Sequence, residues 1–435
     1  MTKRQMHLIA YLKTGPTALH TGGWRHPEST LDDILDASRY QHIARVLEAA
    51  KFDGCFFADL FGLYDIHEGS YDAYVRRGGQ ISFLDPTVVL PVMAAVTRHL
   101  GLGATLSTSV HTPYHLARWL ASLDVMSKGR VAWNVVTSAT DLEAQNAGLD
   151  ALPPRELRYD RADEVLEACF ALWNGWDEGA FVLDKEAGIF ADPAKVHYAN
   201  YKGRWVKTRG PLSIPRSPQG HPVIMQAGSS DRGREFAARW AEAIFTLYAA
   251  RDAMRAFYQD IKSRMDQRGR APDQCAILPG ISVVLGETES IARERAAYLD
   301  SLVSPELNRA ATSSNLGADI TKLKEGVTLA SLQGNQGIKG SEDVLNQAMQ
   351  AKGMTFDQAA ARRGEGREIV GTASMIADRM QDMFEAGLCD GFVLSPVNFP
   401  GMFEQFCRSV VPELQRRGLF RKEYAGRTLR ENLRS

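Results

Sequence analysis

Short apolar runs alternate along this chain with segments whose apolar residues recur at helical spacing. The runs cover 7–12, 53–59, 101–108, 131–138, 222–227, 243–248, 276–286 and 391–395. Near-continuous apolar character in such short stretches predicts strands buried on both faces. Helix-period segments follow at 40–51, 86–99, 113–128, 158–173, 232–241, 253–268, 373–386 and 402–417, with another beginning at Ser290. Strands alternating with helices predict a parallel sheet, and eight such units can close on themselves. The expected fold class is α/β, a (β/α)8 TIM barrel with insertions. An open doubly wound sheet is the rival, disfavoured because no Gly-x-Gly-x-x-Gly turn follows the first run.

Two stretches break the rhythm. Residues 175–220 are rich in Asp, Lys, Gly and Pro and predict an excursion on the barrel surface. Residues 302–370 carry Gly, Ser and Gln clusters with weak helical periods and predict a helical insertion or lid. The tail 418–435 holds five Lys or Arg against two Glu, which predicts an arm on the protein or subunit surface. All of 1–435 reads as one barrel domain with these additions.

Composition narrows the partners. Hydrophobic residues at 44% and charged residues at 24% describe a soluble globular protein. The 51 basic and 52 acidic residues nearly cancel, so neither nucleic acid nor an anionic membrane is the expected partner. No apolar stretch of about 18 residues predicts a membrane span, and no signal-peptide pattern opens the chain. Cys55, Cys169, Cys275, Cys389 and Cys407 form no CxxC pair and predict buried thiols in a reducing, cytoplasmic setting.

Polar residues then mark a site at the carboxyl ends of the strands. Asn134 lies inside the run Val131-Ala132-Trp133-Asn134-Val135-Val136, with Thr137 and Ser138 behind it. An unpartnered buried carboxamide costs about 1–3 kcal/mol, so something polar must sit against it. Asp59 closes the second run, where a carboxylate faces the rim of a barrel; a cap or a structural hydrogen bond is its plainer role. Thr105, Ser107 and Thr108 follow small residues that let a flat ligand approach, or they reflect the β-propensity of threonine. His111 and His115 bracket Pro113 and could serve as an acid and base, or as ligands; with no carboxylate close enough to complete a triad, no metal is expected. Arg158, Tyr159 and Arg161 open a helix and suit an anion, unless Asp160, Asp163 and Glu164 pair with them along a solvated face. Gly228-Ser229-Ser230 ends the fifth run and leads into a helix. Such a turn binds phosphate through amides and hydroxyls, or merely caps the helix. Phe56, Phe57, Phe83, Trp133, Phe245 and Tyr248 are apolar candidates for a dry wall.

These residues, with Arg4-Gln5-Met6-His7-Leu8, Gly23-Trp24-Arg25, Tyr40-Gln41-His42-Ile43-Ala44, Arg158-Tyr159-Asp160-Arg161-Ala162-Asp163-Glu164, Gln226-Ala227-Gly228-Ser229-Ser230 and Thr428-Leu429-Arg430, give a resemblance spread from end to end. The chain resembles the bacterial-luciferase-like flavin monooxygenases. It is most similar to the branch holding the large components of the nitrilotriacetate, EDTA and dibenzothiophene-sulfone enzymes. The resemblance implies a two-component, FMNH2-dependent monooxygenase that uses O2 on a small sulfur- or nitrogen-containing substrate. A separate NAD(P)H:flavin reductase would supply reduced FMN, and a homodimer or homotetramer is implied. It places Asp59, Thr105 and Asn134 around the flavin ring, with Thr137 close by. Tyr159, Ser229 and Ser230 fall at the phosphate. Asn134, Thr105 and Phe56 become the candidate catalytic groups. One departure stands out. Arg155 occupies a place where similar chains tend to carry histidine, so a fixed cation replaces a titratable donor and would meet the phosphate or an anionic substrate. Alternatives are a deazaflavin-dependent hydride-transfer enzyme and a non-catalytic flavin-binding protein.

Overall fold

Eight parallel strands form a closed ring: β1 (His7–Leu12), β2 (Gly54–Phe57), β3 (Gly101–Ser107), β4 (Val131–Val136), β5 (Val223–Gln226), β6 (Ala243–Thr246), β7 (Ala276–Leu285) and β8 (Gly391–Leu394). Each pairs with the next in chain order, and β8 returns to β1 through His7↔Gly391 and Ile9↔Val393. The structure, a computed structural model, describes residues 4–16, 19–322, 337–338 and 367–435. A helix follows every strand: α1 (Ala37–Ala49), α2 (Pro86–Ala94), α3 (Pro113–Met126), α4 (Arg155–Trp173), α5 (Asp231–Trp240), α6 (Arg251–Asp266), α7 (Ala373–Glu385) and α8 (Gly401–Arg416). This is the (β/α)8 barrel that the alternation predicts, and closure leaves no exposed sheet edge within the ring. Several strands stop short of their predicted ends. Asp59, Thr108, Thr137 and Ser138 lie in loops just beyond, where the chain leaves the sheet.

Side-chain alternation splits the strands between two cores. Ile9, Tyr11, Phe56, Ala132, Val223, Met225, Ala243, Leu278 and Val393 pack together inside the barrel. Leu8, Ala10, Phe57, Leu102, Trp133, Ile224, Ile244 and Phe392 face the helices. Two glycines make room for the largest interior rings. A Cβ on Gly103 would come within 2.6 Å of Phe56 Cβ, and one on Gly280 within 2.4 Å of Phe245 Cε2.

The tail is a plug, not the surface arm that its charge predicts. Leu429 and Leu433 join the interior cluster at the amino-terminal end of the barrel, and a Cβ on Gly101 would meet Leu429 Cδ1 at 2.6 Å. Its basic residues are used internally. Arg430 donates to Glu242 at 2.6 and 2.8 Å. Arg421 donates to Asp53 Oδ1 at 2.5 Å and to the Asn432 carbonyl at 3.1 Å. Asp53 is fully buried and also accepts from the Leu8 amide at 2.8 Å and contacts His7 Nδ1 at 2.9 Å. Burial alone would raise its pKa, but Arg421, His7 and the amide together hold it below the usual carboxylate range.

The 175–220 excursion contains two small hairpins, Phe181–Asp184 with Ile189–Ala191 and Tyr201–Lys202 with Lys207–Thr208. Glu164 of α4 fastens it by accepting the amides of Arg204, Trp205 and Val206 at 2.9, 2.6 and 3.1 Å. Of the 302–370 insertion, a helix at Pro305–Leu316 packs on Ala73 and Tyr74 beside the β2–α2 loop, and Glu368–Gly371 pairs with the far end of β7. Of the helical insertion or lid expected there, residues 323–336 and 339–366 lie outside the described residues. All five cysteines are free, four of them buried; burial pushes the Cys55 and Cys275 thiols up to about 12. Among the described residues no helix is long and apolar enough to cross a membrane.

Candidate active site

The carboxyl-terminal mouth of the barrel gathers the polar residues. Asn134 and Thr105 are register partners on β4 and β3. Asn134 shares the inward face of Ala132, and its Nδ2 donates to Thr105 Oγ1 at 2.8 Å. Both are buried. Phe56 pairs with Gly103, two residues before Thr105, so it lies one layer below them. Its ring meets Tyr11 edge-on at 5.5 Å and Phe245 at 6.1 Å. A polar pair therefore sits over an aromatic floor. Of the six apolar candidates, only Phe56 and Phe245 belong to that floor. Phe57 and Trp133 have the opposite parity and pack under the helices. Trp133 spends its indole N–H on the Leu106 carbonyl at 2.9 Å. Tyr248 packs on Phe257 of α6, and Phe83 is half exposed. An aromatic-rich run does not reveal which face each ring takes unless its register is fixed.

Hydroxyls shape the β3 and β4 ends. Ser107 Oγ meets Ser138 Oγ at 2.7 Å, and Ser109 Oγ donates to the Thr137 carbonyl at 2.8 Å. Ser138 adopts φ 62°, a left-handed conformation that few residues other than glycine take. Arg158 secures that turn by donating to the Ser138 and Thr137 carbonyls at 2.6 and 3.2 Å. Arg158 is thus a structural clamp. Asp160 and Asp163 pair with Arg232 of α5, and Asp163 also with Arg239. Arg161 reaches the His111 carbonyl at 3.4 Å. His111 is wedged between Phe61 and Trp119, and among the described residues no three acids, histidines or cysteines form a metal site.

A second polar cluster forms where β5 enters α5. Ser230 is the N-cap, its Oγ accepting from the Gly233 amide at 3.1 Å. The glycines let neighbouring side chains close tightly over the cap, where a Cβ would collide with them. A Cβ on Gly228 would lie 2.2 Å from Gln226 Nε2 and 2.5 Å from the Tyr159 hydroxyl; one on Gly233 would lie 2.9 Å from that hydroxyl and 3.0 Å from Ser230 Oγ. Tyr159, Ser230 and Gln226 therefore converge on one point at a helix amino terminus. Gln226 is 3% exposed, and its Oε1 has no hydrogen-bond partner. Burial raises the Tyr159 pKa, while Arg155, Arg158 and Arg232 act against it. The phenol thus stays protonated, a donor in a cationic setting. Arg155, at the first turn of α4, lies near enough for its charge to act on Tyr159 and Arg158. These features fit a phosphate dianion: hydroxyl donors, a helix amino terminus, surrounding guanidinium groups, and glycines that put no side chain of their own in the way. Ser229 gives its carbonyl to Arg234 at 2.9 Å.

Asp59 stands two residues beyond β2, half-buried, and burial raises its pKa despite nearby Ser82 and Lys13. Sequence reasoning missed Lys13 and the role of Gln226. Lys13 directly follows an apolar strand run and so occupies a rim position, which was the available signal.

A closed parallel barrel thus carries a polar pair over an aromatic floor and, beside it, a helix amino terminus ringed by hydroxyls. The luciferase-like monooxygenase family model matches residues 15–389, and the chain belongs to that family. It is 46% identical over 442 residues to dibenzothiophene-sulfone monooxygenase of Rhodococcus erythropolis (strain XP), covering 99% of this chain and 97% of that one. It is 39% identical over 428 residues to nitrilotriacetate monooxygenase component A of Aminobacter aminovorans, covering 96% and 94%. A crystal structure of a riboflavin lyase with modified FMN and riboflavin superimposes with a TM-score of 0.91 at 32% identity, covering 99% and 96%. The resemblance to the nitrilotriacetate and sulfone branch is thereby shown.

Proposed function

We propose that this protein is the oxygenase component of a two-component system that binds FMNH2, made by a separate NAD(P)H:flavin reductase, and uses O2 to oxygenate a small sulfur- or nitrogen-containing molecule. A sulfone or an aminopolycarboxylate represents the substrate class. The observation that carries this reading is the joint presence of the Asn134–Thr105 pair and the Gly228-Ser229-Ser230 cradle at one mouth. Reduced FMN, when bound, supplies the electrons that activate dioxygen. The chain's own residues do the rest. Ser229, Ser230, Tyr159 and Arg155 hold the phosphate, and Thr137 borders the ring beside Asn134. Asn134 and Thr105 orient the ring edge, Asp59 lies at its rim, and Phe56 with Tyr11 and Phe245 keeps water from the floor. No observation favours deazaflavin hydride transfer or mere flavin storage over this reading. We place the enzyme in the cytoplasm as a homodimer or homotetramer. The apolar side chains exposed on the first hairpin of the excursion, Leu183 and Phe190 among them, support association.

Two experiments test the proposal. Purified protein with an FMN reductase, NADH and oxygen should convert a sulfone; an untouched substrate panel together with no affinity for reduced FMN contradicts it. The double replacement Ser229→Ala with Ser230→Ala should weaken reduced-FMN binding by about 1–3 kcal/mol by anaerobic titration. An unchanged affinity removes the phosphate assignment.

A further inference from the structure

Lys13 is the first residue beyond β1 and lies beside the β2 exit, where the Ala58 amide donates to the Leu12 carbonyl at 3.0 Å. Its Nζ donates to the Gln80 carbonyl at 3.2 Å. The segment carrying Gln80 is laced to the β1 exit. Thr14 Oγ1 donates to the Leu84 carbonyl at 2.6 Å, the Phe83 amide donates to the Thr14 carbonyl at 3.1 Å, and a Cβ on Gly15 would strike the Ile81 carbonyl at 2.2 Å. The ammonium is thereby kept in the mouth rather than released to solvent. Asp59 is the acid that acts on it. Yet the two are not closed into an ion pair, and among the described residues Lys13 has no carboxylate within 4.0 Å. An ion pair serving stability would be closed. A cation held open at a ligand site, with its acid standing off, is suited to a charge that arrives later.

Resting on the FMN reading above, we propose that Lys13 is the counter-charge by which this site prefers reduced to oxidised flavin, with Asp59 taking up a proton when the reduced ring binds. Around neutral pH the reduced isoalloxazine carries a negative charge that the oxidised ring lacks, and charge beside the ring is a means by which a protein tunes it. With Asp59 ionised, its charge offsets that of Lys13. One proton moving from solvent onto Asp59 leaves the Lys13 ammonium unopposed, and no electron moves. Burial prepares both groups: it is the largest influence on each, bringing the Lys13 ammonium down to about 8 and the Asp59 carboxyl upward. Asp85 adds negative charge that acts on Asp59, which favours protonation further, and the same carboxylate acts on His111.

The test is anaerobic titration of wild type, Lys13→Met and Lys13→Arg with FMN and with dithionite-reduced FMN, followed by flavin fluorescence and absorbance. Wild type should favour the reduced form, Lys13→Met should lose about ten-fold or more of that preference, and Lys13→Arg should restore most of it. Calorimetry in buffers of different ionisation enthalpy should count proton uptake with reduced FMN in wild type and none in Asp59→Asn. An unchanged reduced-to-oxidised affinity ratio in Lys13→Met overturns this inference while leaving the FMN reading intact. A wild type that binds neither form overturns both. If Lys13→Met does not fold, the same ratio in Lys13→Gln decides the matter.

Discussion

Replacing Arg421 with methionine is expected to destabilise the protein by about 3–5 kcal/mol, because it leaves Asp53 buried without its guanidinium partner. Asp53 retains His7 and the Leu8 amide, so the loss should stop short of total unfolding. The midpoint of thermal or urea unfolding gives the measurement. Asp53→Asn in the Arg421→Met background should recover part of the loss, since the unpaired charge is then gone. The pH dependence has a definite sign. The folded-state pKa of Asp53 is depressed, so its stabilising contribution is present above the unfolded value of about 3.9 and is lost as pH falls through the folded value. The gap between wild type and Arg421→Met should therefore narrow on acidification below about pH 4. A gap that is small at neutral pH, or constant down to acid, would show that the tail is not held by this pair.

Gly228→Val is expected to cost reduced-FMN affinity about a hundred-fold or more while leaving the barrel folded. Its Cβ falls among Gln226 Nε2, the Tyr159 hydroxyl and, at 3.2 Å, Gly233 Cα. The added methyl groups would push the Tyr159 hydroxyl and Gln226 off the positions proposed to meet the phosphate. Two of these neighbours are ends of side chains that can turn aside, so the fold should tolerate what the ligand cannot. Anaerobic flavin titration measures the affinity, and far-ultraviolet circular dichroism and a thermal melt check the fold. Riboflavin, which lacks the phosphate, should lose much less affinity than FMN. Equal losses for both would place the phosphate elsewhere.

The barrel was legible because period and punctuation agree in every unit. The run Val131–Val136 is too short and too apolar to be anything but a buried strand, and Pro113 marks a helix start. Asn134 stood out for the same reason, as a carboxamide where the pattern demands an apolar residue. The aromatic wall was less legible. Phe56 and Phe57 are adjacent and chemically identical, yet one lines the barrel and the other packs under helices, and only the register of β2 against β1 and β3 decides which. The tail misled because its charges read as solvent-facing. Arg421 and Arg430 bind Asp53 and Glu242, more than 180 residues away in sequence by the separations of 368 and 188. No local pattern carries that pairing. Lys13 was passed over because a lone lysine after a strand is ordinarily a surface residue, and its burial comes from residues 80–84, which only the fold brings near.

The most direct measurement is a crystal structure of the protein soaked anaerobically with reduced FMN. The phosphate should rest against Ser229, Ser230 and Tyr159, with the ring above Phe56 and its edge against Asn134. Density for the phosphate away from the β5–α5 turn, or a ring lying at the plugged end of the barrel by Leu429, would contradict the account.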